Sequence, residues 1–242
     1  MSMAQALVPL KDLVQAKTRL AGLLRPSERR ALAQAMVEDV LAVSSRHPQI
    51  SRVTLVSDDP CAGLLASKYR IDCWPETDLD CHGLNAVVQR ASERLITEVD
   101  EPLLVLHGDL PLLTAADISA VLDCQQRLGG LVIACDQQGS GTNVLAFDRA
   151  SVPVFCFGVD SCARHLAAAR SAGVAAQVLQ RWGTATDVDE ARDLAVLMAA
   201  LDGDSVGETA GLLRDTRLGA RIQLALATLC IEHEQTNKGK AG

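Results

Sequence analysis

Three aspartates carry the strongest chemical signal in the chain: Asp109, in His107-Gly108-Asp109-Leu110-Pro111, and the pair Asp187 and Asp189 in Thr186-Asp187-Val188-Asp189. Asp109 follows the apolar run Leu103-Leu104-Val105-Leu106. It is therefore expected at the carboxyl end of a buried strand, on the rim of an open α/β sheet where ligands bind. The i, i+2 spacing of Asp187 and Asp189 lets both side chains point the same way. Together the three would hold Mg²⁺, which takes one or two protein carboxylates and completes its shell with water and phosphate oxygens. The chemistry indicated is on a phosphorylated substrate. A simpler account of each remains open: Asp109 as a turn residue before Pro111, and Asp187 or Asp189 as a helix N-cap.

A second group of residues is cationic. Val8-Pro9-Leu10-Lys11 runs into Ala16-Lys17-Thr18-Arg19-Leu20, which places Lys11, Lys17 and Arg19 just beyond a strand's end, where triphosphate charge could be gathered. No glycine-rich Walker loop accompanies them, so the chain is not a P-loop protein. Solvated helix or loop charges are the competing account. Ser57, Asp58 and Asp59 before Pro60 read either as a ligand loop or as a cap. Gly83-Leu84-Asn85 opens a helix and suits a phosphate or ribose, or is a plain turn.

The elements that must position these residues show as short apolar runs alternating with helical periodicity. Strands are expected at Ala6 to Pro9, Val53 to Val56, Ile71 to Trp74, Leu103 to Leu106, Leu131 to Cys135, Val144 to Phe147 and Val174 to Leu179. Leu32, Met36, Val40 and Val43 recur at helical spacing, with Pro26 in the first turn. Leu84 to Ile96, a helix opened by Thr114-Ala115-Ala116-Asp117 as a capping box, Ser161 to Ser171 and Glu190 to Leu201 follow. Such alternation predicts a mostly parallel sheet with helices on both faces and right-handed crossovers. After Leu201 the pattern breaks. The expected division is a domain over 1–202 and an extension over 203–242, with a helix from Arg214 to Ile231 and a frayed polar end from Gln235.

Composition narrows the class. The 242 residues, 48% of them hydrophobic, suffice for one large α/β domain, and two full domains would be cramped. With aromatics at 2% and a net charge of -7, the chain lacks both stacking platforms and a basic stripe, which argues against a nucleic-acid surface. The first residues do not form a signal peptide and no run is long enough to span a membrane, so a cytoplasmic protein is expected. The eight cysteines show no CxxC spacing and read as thiols in a reducing compartment.

Taken in order, the segments quoted above, with Gly108-Asp109-Leu110-Pro111-Leu112-Leu113, Gly141-Thr142-Asn143, Gly158 with Ser161, and Ala163-Arg164-His165-Leu166, resemble the CofC/FbiD family over roughly residues 4 to 200. These are guanylyltransferases of deazaflavin coenzyme F-420 biosynthesis. The resemblance implies a single-domain nucleotide-diphospho-sugar transferase fold of the GT-A, Rossmann-like type. It implies GTP as donor, Mg²⁺, and a small phosphorylated carboxylic acid as acceptor: 2-phospho-L-lactate, phosphoenolpyruvate or 3-phospho-D-glycerate. Carried across, Asp109, Asp187 and Asp189 take the metal positions, with Asp109 and Lys17 assigned to catalysis. Thr142, Gly158 and Ser161 take the acceptor, while Lys11, Lys17, Arg19, Ser57, Asp59, Gly83 and Asn85 fall on the nucleotide side. Arg164 is read as a partner for a carboxylate, His165 as structural, and His47, His82 and His233 as surface residues. A homodimer is left open.

This chain departs from the family pattern at two places. His107-Gly108 stands where Pro-Ala is common, and Val159-Asp160 replaces a glycine-rich turn, adding a carboxylate beside an anionic acceptor. A nucleotidyltransferase for another phosphorylated metabolite shares the expected fold, but its usual Leu-Ala-Gly-Gly opening is absent. A silent GTP-binding module would have little use for all three aspartates.

Overall fold

The computed structural model describes residues 3–214 and 216–239. Seven strands form one sheet in the order β3-β2-β1-β4-β6-β5-β7. They are β1 (Ala4–Pro9), β2 (Ile50–Val56), β3 (Asp72–Trp74), β4 (Leu103–Leu106), β5 (Leu131–Cys135), β6 (Thr142–Phe147) and β7 (Ala176–Leu179). The helices are α1 (Pro26–Ser45), α2 (Ala62–Tyr69), α3 (Leu84–Glu98), α4 (Ala115–Leu128), α5 (Ser161–Ser171), α6 (Trp182–Ala185), α7 (Ala191–Ala200), α8 (Glu208–Leu213) and α9 (Arg217–Gly239). Residues 240–242 of the expected frayed end, and the side chain of His233, lie outside the described residues; from Gln235 to Gly239 the chain is helical.

Strand alternation sends side chains to two faces. Ala6, Val8, Leu104 and Leu106 pack with Val37, Val40 and Leu41 of α1 and Ile118 and Val121 of α4. Leu7, Leu103, Val105, Ile133 and Leu145 pack on the other face with Val87, Val88, Ala91 and Leu95 of α3. A helix start leaves free N–H groups that local side chains can satisfy. At α4 the Thr114 hydroxyl accepts from the Asp117 N–H at 3.2 Å while Asp117 Oδ2 accepts from the Thr114 N–H at 3.1 Å, as the capping box predicts. The same helix ends at Gly129 with φ 60°, a left-handed turn that glycine adopts at little cost.

One strand departs from the parallel pattern, and it is the one that builds the site. β6 is antiparallel to both β4 and β5. Only residues 136–141 separate β5 from β6, too few for a crossover, so the two form a hairpin. As a result the beginning of β6 lies at the sheet edge where the other strands end. Leu106 faces Val144, and the His107 N–H donates to the Asn143 carbonyl at 3.1 Å, so Thr142 and Asn143 arrive beside Asp109.

A third apolar cluster joins the chain's two ends. Leu213 and Ile222 are fully buried against Leu20, Leu24, Leu32, Met36, Val188 and Leu194. The α8 entry is held to α1 as well, since Asp39 accepts from the Glu208 and Thr209 N–H groups at 2.6 and 3.0 Å. Truncation after Gly203 deletes two large buried side chains at about 2 kcal/mol each. It is expected to lower the melting temperature by roughly 10 °C, read by circular dichroism; an unchanged melt would show that these helices contribute nothing to the core. Among the described residues no helix is long and apolar enough to cross a membrane, and the seven described cysteines are free.

Candidate active site

The carboxyl edge of the sheet carries two cavities that share a wall. The first, about 800 Å³, lies over β1, β2 and β3 and is lined by Lys11, Lys17, Asp59, Glu76, Gly83 and Asp109 among others. The second, about 500 Å³, lies over β5 and β6 and is lined by Thr142, Asn143, Gly158, Asp160, Ser161 and Asp187 among others. Leu84, His107, Asp109 and Asp189 belong to both.

Lys17 lines the first cavity and pairs with two residues of that shared wall. Its backbone is left-handed, φ 53° and ψ 41°, a conformation uncommon for a residue with a side chain. Its Nζ donates to Asp109 Oδ2 at 2.6 Å and to Asp189 Oδ1 at 2.8 Å, with 8% of the side chain exposed. Burial opposes an ammonium charge, but the two carboxylates outweigh it and hold the lysine pKa above its usual value. Reciprocally, burial would raise the Asp109 pKa, yet Lys17 keeps that carboxyl below the ordinary range. The cation is thus fixed in place and charged across the neutral range.

Asp187 behaves differently. Burial, followed by the charge of Asp109, pushes its pKa up to about 6, although Asn143 Nδ2 donates to Oδ1 at 3.0 Å. Asn143 also donates to the Thr184 carbonyl at 3.0 Å, so one amide fixes both the aspartate and the turn that carries it. Neither Asp187 nor Asp189 caps a helix. The α7 cap is Glu190, whose N–H donates to Asp193 at 2.8 Å.

Among the described residues, no three His, Cys, Asp or Glu side chains stand close enough together to form a metal cage. The residues nevertheless fit a cation that brings its own phosphate and water ligands. Asp109 Oδ1 is buried without a partner, and Asp187 remains under-neutralised beside Asp109 and Asp189. Mg²⁺ suits such a partial protein shell.

Around the second cavity, Gly158 has φ 121°, a conformation that disfavours any side chain. It leads through Val159 into Asp160, at φ 52°, and the amino end of α5, where the Ser161 and Cys162 N–H groups donate to the Gly158 and Ser140 carbonyls at 3.2 and 3.0 Å and the helix dipole favours an anion. Ser161 and Thr142 are both buried here. His165 sets the orientation of Thr142. Its Nε2 accepts from the Cys156 N–H at 2.9 Å, and its Nδ1 lies 3.1 Å from the Thr142 hydroxyl. Burial lowers the His165 pKa to about 4, so the ring is neutral and its hydrogen is on Nδ1. The Thr142 hydroxyl therefore cannot donate to that ring, and its own hydrogen is free for a ligand. The structural reading of His165 holds in this sense.

Several expected nucleotide residues have other duties. The Ser57 hydroxyl accepts from the Asp59 N–H at 3.0 Å, and Asp59 accepts from Leu13 and Cys61 N–H groups, both at 2.8 Å, tying the loop after β1 to that after β2. Asn85 clamps Phe157, accepting its N–H at 2.7 Å and donating to its carbonyl at 3.3 Å. Its side chain therefore supports the turn before Gly158. Arg19 lies on the second cavity, not the first, paired with Glu190 at 3.1 Å. Lys11 and Gly83 do line the first. Arg164 makes no ion pair among the described residues. His82 is exposed, but His47 is buried rather than on the surface, with Nε2 3.1 Å from the Ala115 carbonyl and 3.0 Å from the Ser119 hydroxyl. The polar requirements of the α4 entry draw it inward.

Two contributors to the site escape a reading of residue types alone. Asn143 sits in a fully buried strand, where a polar residue needs a partner, but Asp187 is 44 positions away. His107 packs its ring on Phe157, centroids 4.8 Å apart, with Nε2 buried and unpartnered. Burial lowers its pKa against the pull of Asp109.

Comparisons with known proteins identify the family and the fold. Residues 4–223 match the family described as guanylyl transferase CofC like. The phosphoenolpyruvate guanylyltransferase of Chloroflexus aggregans is 36% identical over 197 residues, covering 80% of this chain and 96% of the relative. The 2-phospho-L-lactate guanylyltransferase of Methanothermobacter thermautotrophicus is 31% identical over 211 residues, covering 87% of this chain and 91% of the relative. Among solved structures, one described as a nucleotide-diphospho-sugar transferase from Desulfovibrio desulfuricans superposes with a TM-score of 0.77 at 18% identity, covering 93% of this chain and 98% of that one. A 4-diphosphocytidyl-2C-methyl-D-erythritol synthase gives 0.56 at 13% identity, covering 84% and 100%. These two show the fold: one α/β domain of the nucleotide-diphospho-sugar transferase and cytidylyltransferase type.

Proposed function

The chain belongs to the CofC-like guanylyl transferase family and is a guanylyltransferase; we propose that it moves GMP from GTP onto the phosphate of phosphoenolpyruvate or 2-phospho-L-lactate, in coenzyme F-420 biosynthesis. The observation that carries this reading is the meeting of two cavities at Asp109 and Asp189, the two carboxylates that hold Lys17. GTP occupies the larger and the acid the smaller, so the α-phosphorus lies at the shared wall. An oxygen of the acceptor phosphate forms a bond to that phosphorus, the bond to the β-phosphate oxygen breaks, and pyrophosphate leaves.

The chemistry requires no side chain to act as a base. A phosphate monoester has its second pKa near about 6, so its attacking oxygen is already largely ionised at neutral pH. What remains is alignment of two mutually repelling anions and neutralisation of charge at the reacting phosphorus. Lys17, held charged and stationary, meets that need. Asp109, Asp187 and Asp189 would hold Mg²⁺, which supplies further positive charge to phosphate oxygens when bound. The Thr142 hydroxyl, the Ser161 hydroxyl and the backbone at Gly158 hold the acid, while Asp160 restricts how its negative groups can lie.

Thr142→Val and Ser161→Ala test this division of labour. Each is expected to raise the KM for the acid by about tenfold or more, the effect of losing a hydrogen bond to a charged group, with the KM for GTP within a few-fold. Initial-rate kinetics with each substrate varied in turn read the split; a larger effect on GTP than on the acid would reverse the assignment of the two cavities.

A further inference from the structure

We propose that Glu76 is the residue that reads the guanine base, an inference that rests on GTP occupying the larger cavity. Glu76 follows β3 and Pro75, at the start of a short 3-10 turn, Glu76–Leu79, that is anchored by buried Leu79. Its half-buried carboxylate lines the larger cavity. The other carboxylates on that wall are engaged. Asp12 accepts from the Val14 N–H at 2.8 Å, Asp58 from the Thr77 N–H at 3.4 Å, and Asp59 from Leu13 and Cys61. Asp109 and Asp189 hold Lys17. Glu76 has no hydrogen bond or ion pair among the described residues. Burial, with the charge of Asp58 adding to it and Lys11 opposing, pushes its pKa up, a cost that donors from a ligand would relieve.

Its position matches the base end of the donor. In the sheet order β3-β2-β1-β4, Glu76 follows the first strand and Asp109 the fourth. Three strand spacings of about 4.8 Å separate them by roughly 14 Å, a gap that one extended nucleoside monophosphate and the two reaching side chains fill. With the α-phosphate beside Lys17 and Asp109, the base lies over the ends of β2 and β3. Guanine presents there adjacent N1–H and N2–H donors, which two carboxylate oxygens accept in parallel as charge-assisted bonds. Adenine turns an acceptor, N1, toward the same carboxylate, an unpaired contact that rejects it. Hypoxanthine retains N1–H but lacks the amino group.

Glu76→Gln in the full-length protein tests the assignment, with nucleotide preference measured two ways: calorimetric binding of GTP, ITP and ATP in Mg²⁺, and kcat/KM for each with saturating acid. The wild type is expected to favour GTP over ITP by about tenfold or more, the effect of one charge-assisted hydrogen bond. Glu76→Gln is expected to weaken GTP by about tenfold and bring the GTP to ITP ratio close to one, with kcat for GTP within a few-fold. Asp78→Asn, which removes an equal charge two residues away and off the cavity wall, should leave the ratio as in the wild type. An unchanged ratio in Glu76→Gln overturns the assignment, as does an equal loss for all three nucleotides, the signature of Glu76 acting only through Lys11. GTP binding by the wild type without base preference overturns the assignment alone. No nucleotide binding at all overturns the placement of GTP with it.

Discussion

Asp109→Asn is expected to lower the rate of GMP transfer by about 10²–10³-fold, the scale on which removal of one preorganised electrostatic group acts. The substitution keeps the shape of the side chain but removes the charge that Lys17 Nζ contacts at 2.6 Å. Lys17 is then left with Asp189 as its ionised partner, and the buried oxygen at Oδ1 no longer offers a full charge to a cation. The fold should survive, since Asp109 lies at the cavity wall while the flanking Leu106 and Leu110 carry the packing. Stopped-time assays of pyrophosphate release with circular dichroism on the same preparation check both halves. Activity within about threefold of wild type at saturating Mg²⁺ would remove Asp109 from the reaction.

Asp187→Asn is expected to separate activity from stability. In the folded protein burial and Asp109 raise the Asp187 pKa from 3.8 to about 6. The unfolded chain therefore loses this proton first as pH rises, and ionising the folded carboxyl costs stability between pH 3.8 and about 6. That cost is absent below pH 3.8 and complete above about pH 6. Asparagine has no such charge, and its carbonyl oxygen still accepts from Asn143. In chelator at pH 7 the variant should be more stable than wild type by about 1–2 kcal/mol, after allowance for partial solvent screening. The gain should vanish at pH 3.5, where both side chains are neutral. Transfer activity should meanwhile fall by about 10²-fold or more. Urea melts across that pH range decide it; a destabilised variant at pH 7 would mean that Asp187 is already neutralised by a contact other than Asn143.

Much of the positioning frame was legible in the sequence because it rests on unbroken apolar runs. Leu103–Leu106 and Leu131–Cys135 begin and end as the pattern predicts, since each is bounded by a polar or turn residue. α2 was not legible: in Ala62–Tyr69 only Ala62, Leu65 and Ala66 are buried, and Gly63 interrupts a run too short to show a period. The direction of β6 does not show in its own residues, because a strand reads the same both ways; the short connection over residues 136–141 is the signal of the hairpin that the expected parallel pattern passes over. That reversal brings Asn143 to Asp187 and Thr142 to His165, contacts between residues 44 and 23 positions apart. Lys17, Asp109 and Asp189 could be singled out by type, but not the ion pairs that join them across 92 and 172 positions. Ser57, Asp59 and Asn85 show the converse. Their side chains have the chemistry of ligand residues, and the fold uses that chemistry on its own backbone.

The most direct test of the central claim is a single assay of the purified protein with GTP and Mg²⁺, adding phosphoenolpyruvate, 2-phospho-L-lactate or 3-phospho-D-glycerate in parallel and measuring pyrophosphate together with the mass of the product. The two-cavity arrangement predicts pyrophosphate release only when an acid is present, in equal amount to a new species carrying GMP on the acid's phosphate, with phosphoenolpyruvate or 2-phospho-L-lactate the preferred acceptor. Pyrophosphate release that is indifferent to the acid, or none with any of the three, would contradict it.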